Sequence, residues 1–241
     1  MTSYSGQHAE FYDLFYADKP YPQEAAFVAN CLRTYSVGST ERLLELACGT
    51  GSHALELEQL GYKIVATDYS EDMLRRARQK AGERSSQVQF QLLNMIQLEP
   101  DGAPFDAAYC LFDSIGYVAT NEALSQVFQG VHKHLRADGL FVFEFWHAAA
   151  MLRHYDPVRV RRWKTNDSTV MRISETSLDT AKQLSRVSYS IYELNDDGTY
   201  STLTETQVNR YFLLQEMAAW LTSSGFTPVK WFLAVEFEWL Y

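Results

Sequence analysis

Long apolar runs are missing from this sequence. None approaches the ~18 residues that a membrane-crossing helix needs, so no span is predicted. Cysteine is scarce. Cys31, Cys48 and Cys110 are odd in number and have no metal-ligand spacing, which argues against a disulfide framework and reads as reduced thiols in a cytoplasmic protein. Positive charge is short as well: 21 Lys and Arg face 30 Asp and Glu, a formal net charge of −9. A surface that acidic repels phosphate backbones and anionic lipid, so neither nucleic acid nor membrane is expected as a partner. The one locally basic stretch, RVRRWK (Arg159 to Lys164), reads as an exposed strand edge blunted by charge. The opening MTSYSGQHAEFYDLF has no basic segment followed by an apolar one, so no secretory leader is read there. No cluster of His, Asp and Glu has metal-ligand spacing, and there is neither an internal repeat nor a low-complexity linker.

What is present is alternation. With 241 residues and 46% apolar content the chain can bury a substantial core as one large domain or one domain with an elaboration. From Arg42 to Phe145 short apolar runs (RLLELA, KIVATD, VQFQLL, FDAAYCLF and GLFVFEF) alternate with helical periods at Ser52–Leu60, Ser70–Ala81 and Asn121–Leu135. Near-continuous apolar strands joined by helices predict a doubly wound, mostly parallel α/β sheet covered on both faces. Ser70 and Asn121 stand as helix caps, and RADG (Arg136 to Gly139) as a helix stop at Gly139. Before the sheet, Gln7 to Tyr35 reads as two helices broken at DKPYP by Pro20 and Pro22. After Phe145 the alternation ends. TVMRISETSL, LSRVSYSIYEL and YSTLTETQVNRY read as antiparallel strands, with NDDG (Asn195 to Gly198) as a hairpin turn. A last helix at Leu213–Ser224 would present Leu214, Met217, Ala218 and Leu221 on one face and end at Gly225. The expected organisation is an N-terminal helical lid over 1–40, a core of 41–150 and 211–241, and an antiparallel β insertion over 151–210. That insertion should cover the carboxyl ends of the parallel strands, where open α/β sheets bind ligands.

The glycine loop decides which ligand. GTGSHA (Gly49 to Ala54) fits the looser dinucleotide fingerprint G-x-G-x-x-A, with the acid Asp68 downstream. Yet Glu45 lies at the end of the strand, facing the mouth of the loop, where a fixed carboxylate repels pyrophosphate and attracts an ammonium group. A ligand with an α-amino group, a ribose and no phosphate resolves the conflict, and S-adenosylmethionine is such a ligand.

The stretch LELACGTGSH (Leu44 to His53), followed by IVATDYSEDML, resembles the first two motifs of the Rossmann-type S-adenosylmethionine-dependent methyltransferases. FDAAYCLFDSIGYV, HLRADGLFVFEF and RYFLLQEMAAWLTSSGF resemble the family's fourth strand, fifth strand and last helix, so the resemblance covers most of the chain. It implies that Glu45 meets the methionine amino end and that the backbone of Ala47, Cys48, Gly49 and Gly51 runs along the methionine moiety. Asp68 would take both ribose hydroxyls. Tyr69 and Met73 would flank adenine, and Leu111 is carried over as a further contact. Where relatives usually carry Asp after the third strand, this sequence has Asn94 and then Met95, which keeps an acceptor for the adenine amino group with less charge. The product would be S-adenosylhomocysteine.

HAEFYDLFYADKPYPQEA (His8 to Ala25), LFDSIGYV and the insertion further resemble bacterial small-molecule methyltransferases, including N,N-dimethyltransferases of nucleotide-linked aminosugars. In such relatives the N-terminal helices fold over the cofactor, and the inserted sheet builds the acceptor pocket or a homodimer contact. Tyr12, Tyr16 and Tyr21 fall in the lid, with Tyr16 read as a cofactor contact. No Asn-Pro-Pro-Tyr or Asp-Pro-Pro-Tyr follows the fourth strand, which argues against nucleobase or glutamine amides as acceptors. The expected activity is methyl transfer to nitrogen or oxygen of a small molecule. The candidate bases are Asp113 and His147, just past the fourth and fifth strands, then Tyr16, Glu205 and Tyr211. The rival readings are a non-catalytic protein of this fold and, further off, a nicotinamide oxidoreductase. FLAVEFEWLY (Phe232 to Tyr241) leaves the family's final antiparallel strand hard to find.

Overall fold

The computed structural model describes residues 7–153 and 155–232. The first helices are α1 (Gln7–Phe15) and α2 (Tyr21–Tyr35), separated at the two prolines as expected. Pro20 is the N-cap residue of α2, where its missing N–H costs nothing.

The central sheet follows. Its strands are β1 (Arg42–Glu45), β2 (Lys63–Asp68), β3 (Gln89–Leu92), β4 (Phe105–Cys110) and β5 (Leu135–Phe143), all parallel, in spatial order β3-β2-β1-β4-β5. The order reverses between β1 and β4, so a crevice opens at the carboxyl end of β1. Helices α3 (Ser52–Gln59), α4 (Glu71–Glu83) and α5 (Asn121–His134) make connections, with one-turn 3-10 helices at Met95–Gln97 and Ser114–Tyr117. Successive residues of β1 feed opposite cores, which is why its run is apolar without alternation. Leu43 packs with Val28 and Leu32 of α2 and Leu55 of α3, whereas Leu44 packs with Val127, Phe128 and Val131 of α5.

Four expectations change at the ends of elements. The strand β5 begins at Leu135, before RADG, and α5 stops at His134. Phe105 pairs with Leu135 but Ala107 with Leu140, so residues 136–139 bulge from the ladder. A Cβ on Gly139 would lie 3.0 Å from the Arg136 carbonyl oxygen, so the glycine serves this tight bulge and not a helix stop. The cap of α5 is Thr120, whose hydroxyl accepts from the Ala123 N–H at 3.2 Å; Asn121 is already helical. Ser70 caps α4 as read, accepting from Met73 N. Finally, Leu214 is exposed in the last helix, α7 (Leu214–Ser223), which buries only Met217 and Leu221 of the expected face.

Between α6 (Ala148–Arg153) and α7 stands the antiparallel sheet: β6 (Val158–Lys164), β7 (Ser168–Asp179), β8 (Leu184–Asn195) and β9 (Tyr200–Arg210), in that spatial order. The basic stretch RVRRWK is its edge strand β6, and NDDG turns β8 into β9 with Gly198 at φ +88°. One face of this sheet packs Val170, Ile191 and Leu203 against Phe11 and Phe15 of α1. The stretch FLAVEFEWLY lies, past Phe232, outside the described residues. Among the described residues no helix is long and apolar enough to cross a membrane.

Candidate cofactor and acceptor site

The loop after β1 is wound unusually tightly. Ala47, Gly49 and Gly51 all have positive φ, at +51°, +55° and +73°. Gly51 is required twice over: its φ is left-handed, and a Cβ there would meet the Phe90 ring at 2.8 Å. The winding carries the chain from β1 into α3 beneath a cleft lined by Tyr12, Tyr21, Glu45, Ala47, Cys48, Thr50, Ser52, His53, Leu111, Phe112 and Ser114.

Glu45 ends β1 at the floor of this cleft and is 2% exposed. Its Oε2 has no hydrogen-bond partner among the described residues. Burial holds the carboxyl well above the usual carboxylate range. The nearby Tyr109 hydroxyl opposes that shift without reaching ordinary hydrogen-bond geometry to Oε2, and Asp68 adds to it. A buried carboxylate oxygen without a donor is costly, and a ligand bearing an ammonium group would supply one. Asp68 ends β2 and is equally enclosed. Its Oδ2 accepts from Gly49 N at 2.8 Å and its Oδ1 from Ser70 N at 2.8 Å, so it pins the glycine loop to the end of β2. Burial raises its pKa against these backbone donors. Each oxygen keeps a second lone pair for a ligand hydroxyl.

The N-terminal helices close over the loop. Asp13 of α1 accepts from the Thr50 hydroxyl at 2.7 Å and from Lys80 Nζ at 3.0 Å, with Arg76 Nε at 3.4 Å; Lys80 also donates to Thr50 and Ser52. Burial works against ionisation of Asp13, but Thr50, Lys80 and Arg76 outweigh it and hold the carboxyl below its ordinary range. Tyr12 stands over Gly49, its hydroxyl 3.8 Å from where a Cβ would be. Tyr16 stacks edge-on against Phe112 at 4.9 Å between ring centroids. At the start of α2, Glu24 pairs with Lys19 and with His53 Nε2 at 2.5 Å, and the Lys19 ammonium lies 4.6 Å from the Phe112 ring centre.

One residue, Leu111, separates the end of β4 from two consecutive residues with left-handed backbone, Phe112 and Asp113 at φ +59° and +54°. Backbone strain of this kind persists only where neighbours enforce it. Asp113 supplies that enforcement: Oδ1 accepts from Trp146 N at 2.7 Å and Oδ2 from Asn209 Nδ2 at 3.5 Å. Burial pushes its carboxyl well above the usual range. Tyr117 donates to Gln207 Oε1 at 3.3 Å, and Gln207 donates to Glu205 Oε1 at 2.9 Å. The inner side of β9 is thus joined through Asn209 and Gln207 to Asp113 and Tyr117, in the segment that follows β4.

The structure therefore gathers Glu45, Ala47, Cys48 and Leu111 into one cleft, rims it with Gly49, Gly51 and Asp68, and sets Tyr16 and Asp113 beside Phe112 and Ser114. Met73 is buried in the first turn of α4, Tyr69 is exposed past β2, and Met95 packs on the core. Asn94 uses its side-chain oxygen to cap its own turn, accepting from Ile96 N at 3.0 Å. His147 does not line the cleft; it sits half-buried where its backbone bridges to Phe212 at the start of α6. Asp13, Thr50, Lys80 and Lys19 were not singled out by motif, although Asp13 lies inside the quoted YDLFY stretch.

A fold and a cleft of this form can be compared with known proteins. The methyltransferase-domain family matches residues 43–139. A dTDP-3-amino-3,4,6-trideoxy-alpha-D-glucopyranose N,N-dimethyltransferase of Streptomyces venezuelae is 32% identical over 149 residues, covering 59% of each chain. Streptomyces venezuelae DesVI superposes with a TM-score of 0.77 at 26% identity, over 92% of this chain and 91% of its own. Residues 43–139 form a methyltransferase domain, and the chain is related to S-adenosylmethionine-dependent methyltransferases. The sugar N-methyltransferase KedS8 from Streptoalloteichus shares the methyltransferase's fold, with a TM-score of 0.77 at 24% identity over 93% of this chain and 88% of its own. The Glu45 oxygen without a partner among the described residues and the pinned glycine loop fit S-adenosylmethionine, and the atoms nearest the space above Gly49 belong to Tyr12, at van der Waals distance.

Proposed function

We propose that this methyltransferase moves a methyl group from S-adenosylmethionine to the nitrogen of a small-molecule amine. The observation that carries the cofactor half is the buried Oε2 of Glu45, which has no hydrogen-bond partner among the described residues at the mouth of the glycine loop. When bound, the cofactor supplies the electrophilic methyl group, so the chain's own task is alignment. Glu45 would bind the amino end, Asp68 the ribose hydroxyls, and Tyr69, Met73 and Asn94 the adenine side. Tyr12 and Tyr16 would shield the cleft from water, with α1 and α2 acting as a lid. Nitrogen is favoured because a similar protein is named for N,N-dimethylation of an aminosugar.

The acceptor would sit between Phe112 and the inner face of the antiparallel sheet. Asp113 is a positioning residue in this reading: it holds Trp146 and Asn209, and a carboxyl so buried resists the charged form a base needs. Asp113→Asn should cut turnover by roughly a hundredfold through misalignment. His147→Ala, away from the cleft, should leave turnover near wild type. Mass spectrometry of amines incubated with S-adenosylmethionine, nucleotide-linked aminosugars among them, tests the activity. Tight NADH binding without heat from S-adenosylhomocysteine would overturn it. A large loss in His147→Ala with none in Asp113→Asn would reverse the two roles.

A further inference from the structure

The inner face of the antiparallel sheet holds a cation that forms no ion pair among the described residues. Arg172 of β7 is 8% exposed, and its Nε has no hydrogen-bond partner among the described residues. Four rings surround it instead. The guanidinium carbon lies 4.7 Å from the centre of Phe15, 5.2 Å from Trp163, 5.3 Å from Tyr189 and 5.8 Å from Tyr16. Ring faces stabilise a cation but leave its N–H donors unsatisfied, and the guanidinium fork is shaped for two oxygens of an oxyanion. Nor does the surrounding row balance the charge. Directly across the strands Arg172 faces Arg161 on one side, and Ile191 and then Leu203 on the other. Like charges directly opposite each other destabilise a sheet pair. The two neighbouring rows of this face each hold a carboxylate: Glu193, across from Val170, accepts from the hydroxyls of Ser168 and Ser201 at 3.3 Å, and Glu205, across from Tyr189, accepts from Gln207 Nε2 at 2.9 Å.

The position of Arg172 matters as much as its charge. Tyr16 touches it on one side and stacks on Phe112 at 4.9 Å on the other, so Arg172 is one ring away from the wall of the cofactor cleft. On a chain of net charge −9, a buried arginine with no ion pair among the described residues offers an anion a positive field at that place. We infer that Arg172 is a specificity-determining residue that recognises an oxyanion, phosphoryl or carboxylate, carried by the acceptor. The inference rests on the methyltransferase reading above for what the oxyanion is attached to. The aromatic cage holds the guanidinium in place before the acceptor arrives, which lowers the ordering cost of binding.

Calorimetry on the full chain tests this, with inorganic pyrophosphate and succinate as probes, each titrated with and without saturating S-adenosylhomocysteine at matched ionic strength. One probe should bind wild type. Arg172→Met should weaken that binding by at least about tenfold, and Arg172→Lys by less, because a point charge lacks the two-pronged donor. Both variants should bind S-adenosylhomocysteine within about twofold of wild type, since Arg172 is outside the cleft lining. Preference for pyrophosphate would assign a phosphoryl acceptor, and preference for succinate a carboxylate one. Binding of neither probe to wild type, or equal binding to Arg172→Met, would overturn the assignment. Failure of wild type to bind S-adenosylhomocysteine would overturn the cofactor reading instead, and the titrations without it would still decide Arg172. Should Arg172→Met not fold, fluorescence decides. A probe-induced change in wild type that is absent in Trp163→Phe supports the site, and identical changes in both overturn it.

Discussion

Replacing Glu45 by Gln tests the cofactor site at its most exposed assumption. The amide keeps the volume of the carboxyl and removes its charge. In the folded protein burial raises the Glu45 pKa above its unfolded value near ~4.3, so between these two values the folded state holds a proton that the unfolded state has lost. Stability from this group is fully present below the unfolded pKa and falls as pH rises towards the folded one. Glu45→Gln should abolish that slope, making the ligand-free variant as stable as wild type at neutral pH or more so. Cofactor binding should move the other way. A hydrogen bond to an ionised partner is worth about 1.5–3 kcal/mol, so the variant should bind S-adenosylhomocysteine roughly 10- to 150-fold more weakly. Because the ammonium group favours the ionised carboxylate, wild type should release a proton on binding where Glu45 starts protonated. Calorimetry in buffers of different ionisation enthalpy reads that proton directly. Equal affinity in the variant, or proton release that persists in it, would show that Oε2 meets something other than a cation.

Other substitutions probe the loop and its cover. Gly51→Ala should lower stability by about 1–3 kcal/mol, visible in thermal melts, because the left-handed backbone and the Phe90 ring both oppose a Cβ. Asp13→Asn should free α1: amide exchange over residues 7–15 should rise, with little change in β1 or β4. Since the ion-paired setting lowers the Asp13 pKa, its contribution is present above the unfolded value near ~3.9 and lost as pH falls through the folded one. Wild-type exchange in α1 should therefore approach that of the variant only in acid.

The features legible in the sequence were those written in local spacing. Glu45, the glycines and Asp68 lie within one βα unit, and strand and helix periods around them set their places at the crevice. The fastening of α1 was not legible. Thr50 and Lys80 meet Asp13 across separations of 37 and 67 residues, and nothing in YDLFY distinguishes an aspartate that grips a loop from a solvated one. RADG shows a different limit. A glycine that ends a helix and a glycine that lets a strand bulge look alike in sequence, and only the pairing of β5 with β4 separates them. Thr120 and Asn121 are both good caps side by side, so the choice fell to tertiary packing. Arg172 reads as one more outward charge of a half-buried strand until Phe15 and Tyr16 arrive from α1.

The strand β9 has a consequence for how such an enzyme could change its taste in molecules. Asn209, Gln207, Glu205 and Leu203 succeed one another on its inward side, while Thr206, Thr204 and Thr202 face away. Along a strand, same-side positions recur every ~7 Å, about the length of one sugar ring. With the acceptor placed along this face, as proposed above, the strand would act as a graduated ruler fixed at one end by Asn209 to Asp113, each further mark open to rewriting by one codon without disturbing the backbone ladder or the glycine loop. Diversification at the far marks, with the near end held constant, would let one scaffold drift among acceptors of different length while its grip on the methyl donor stays as it is.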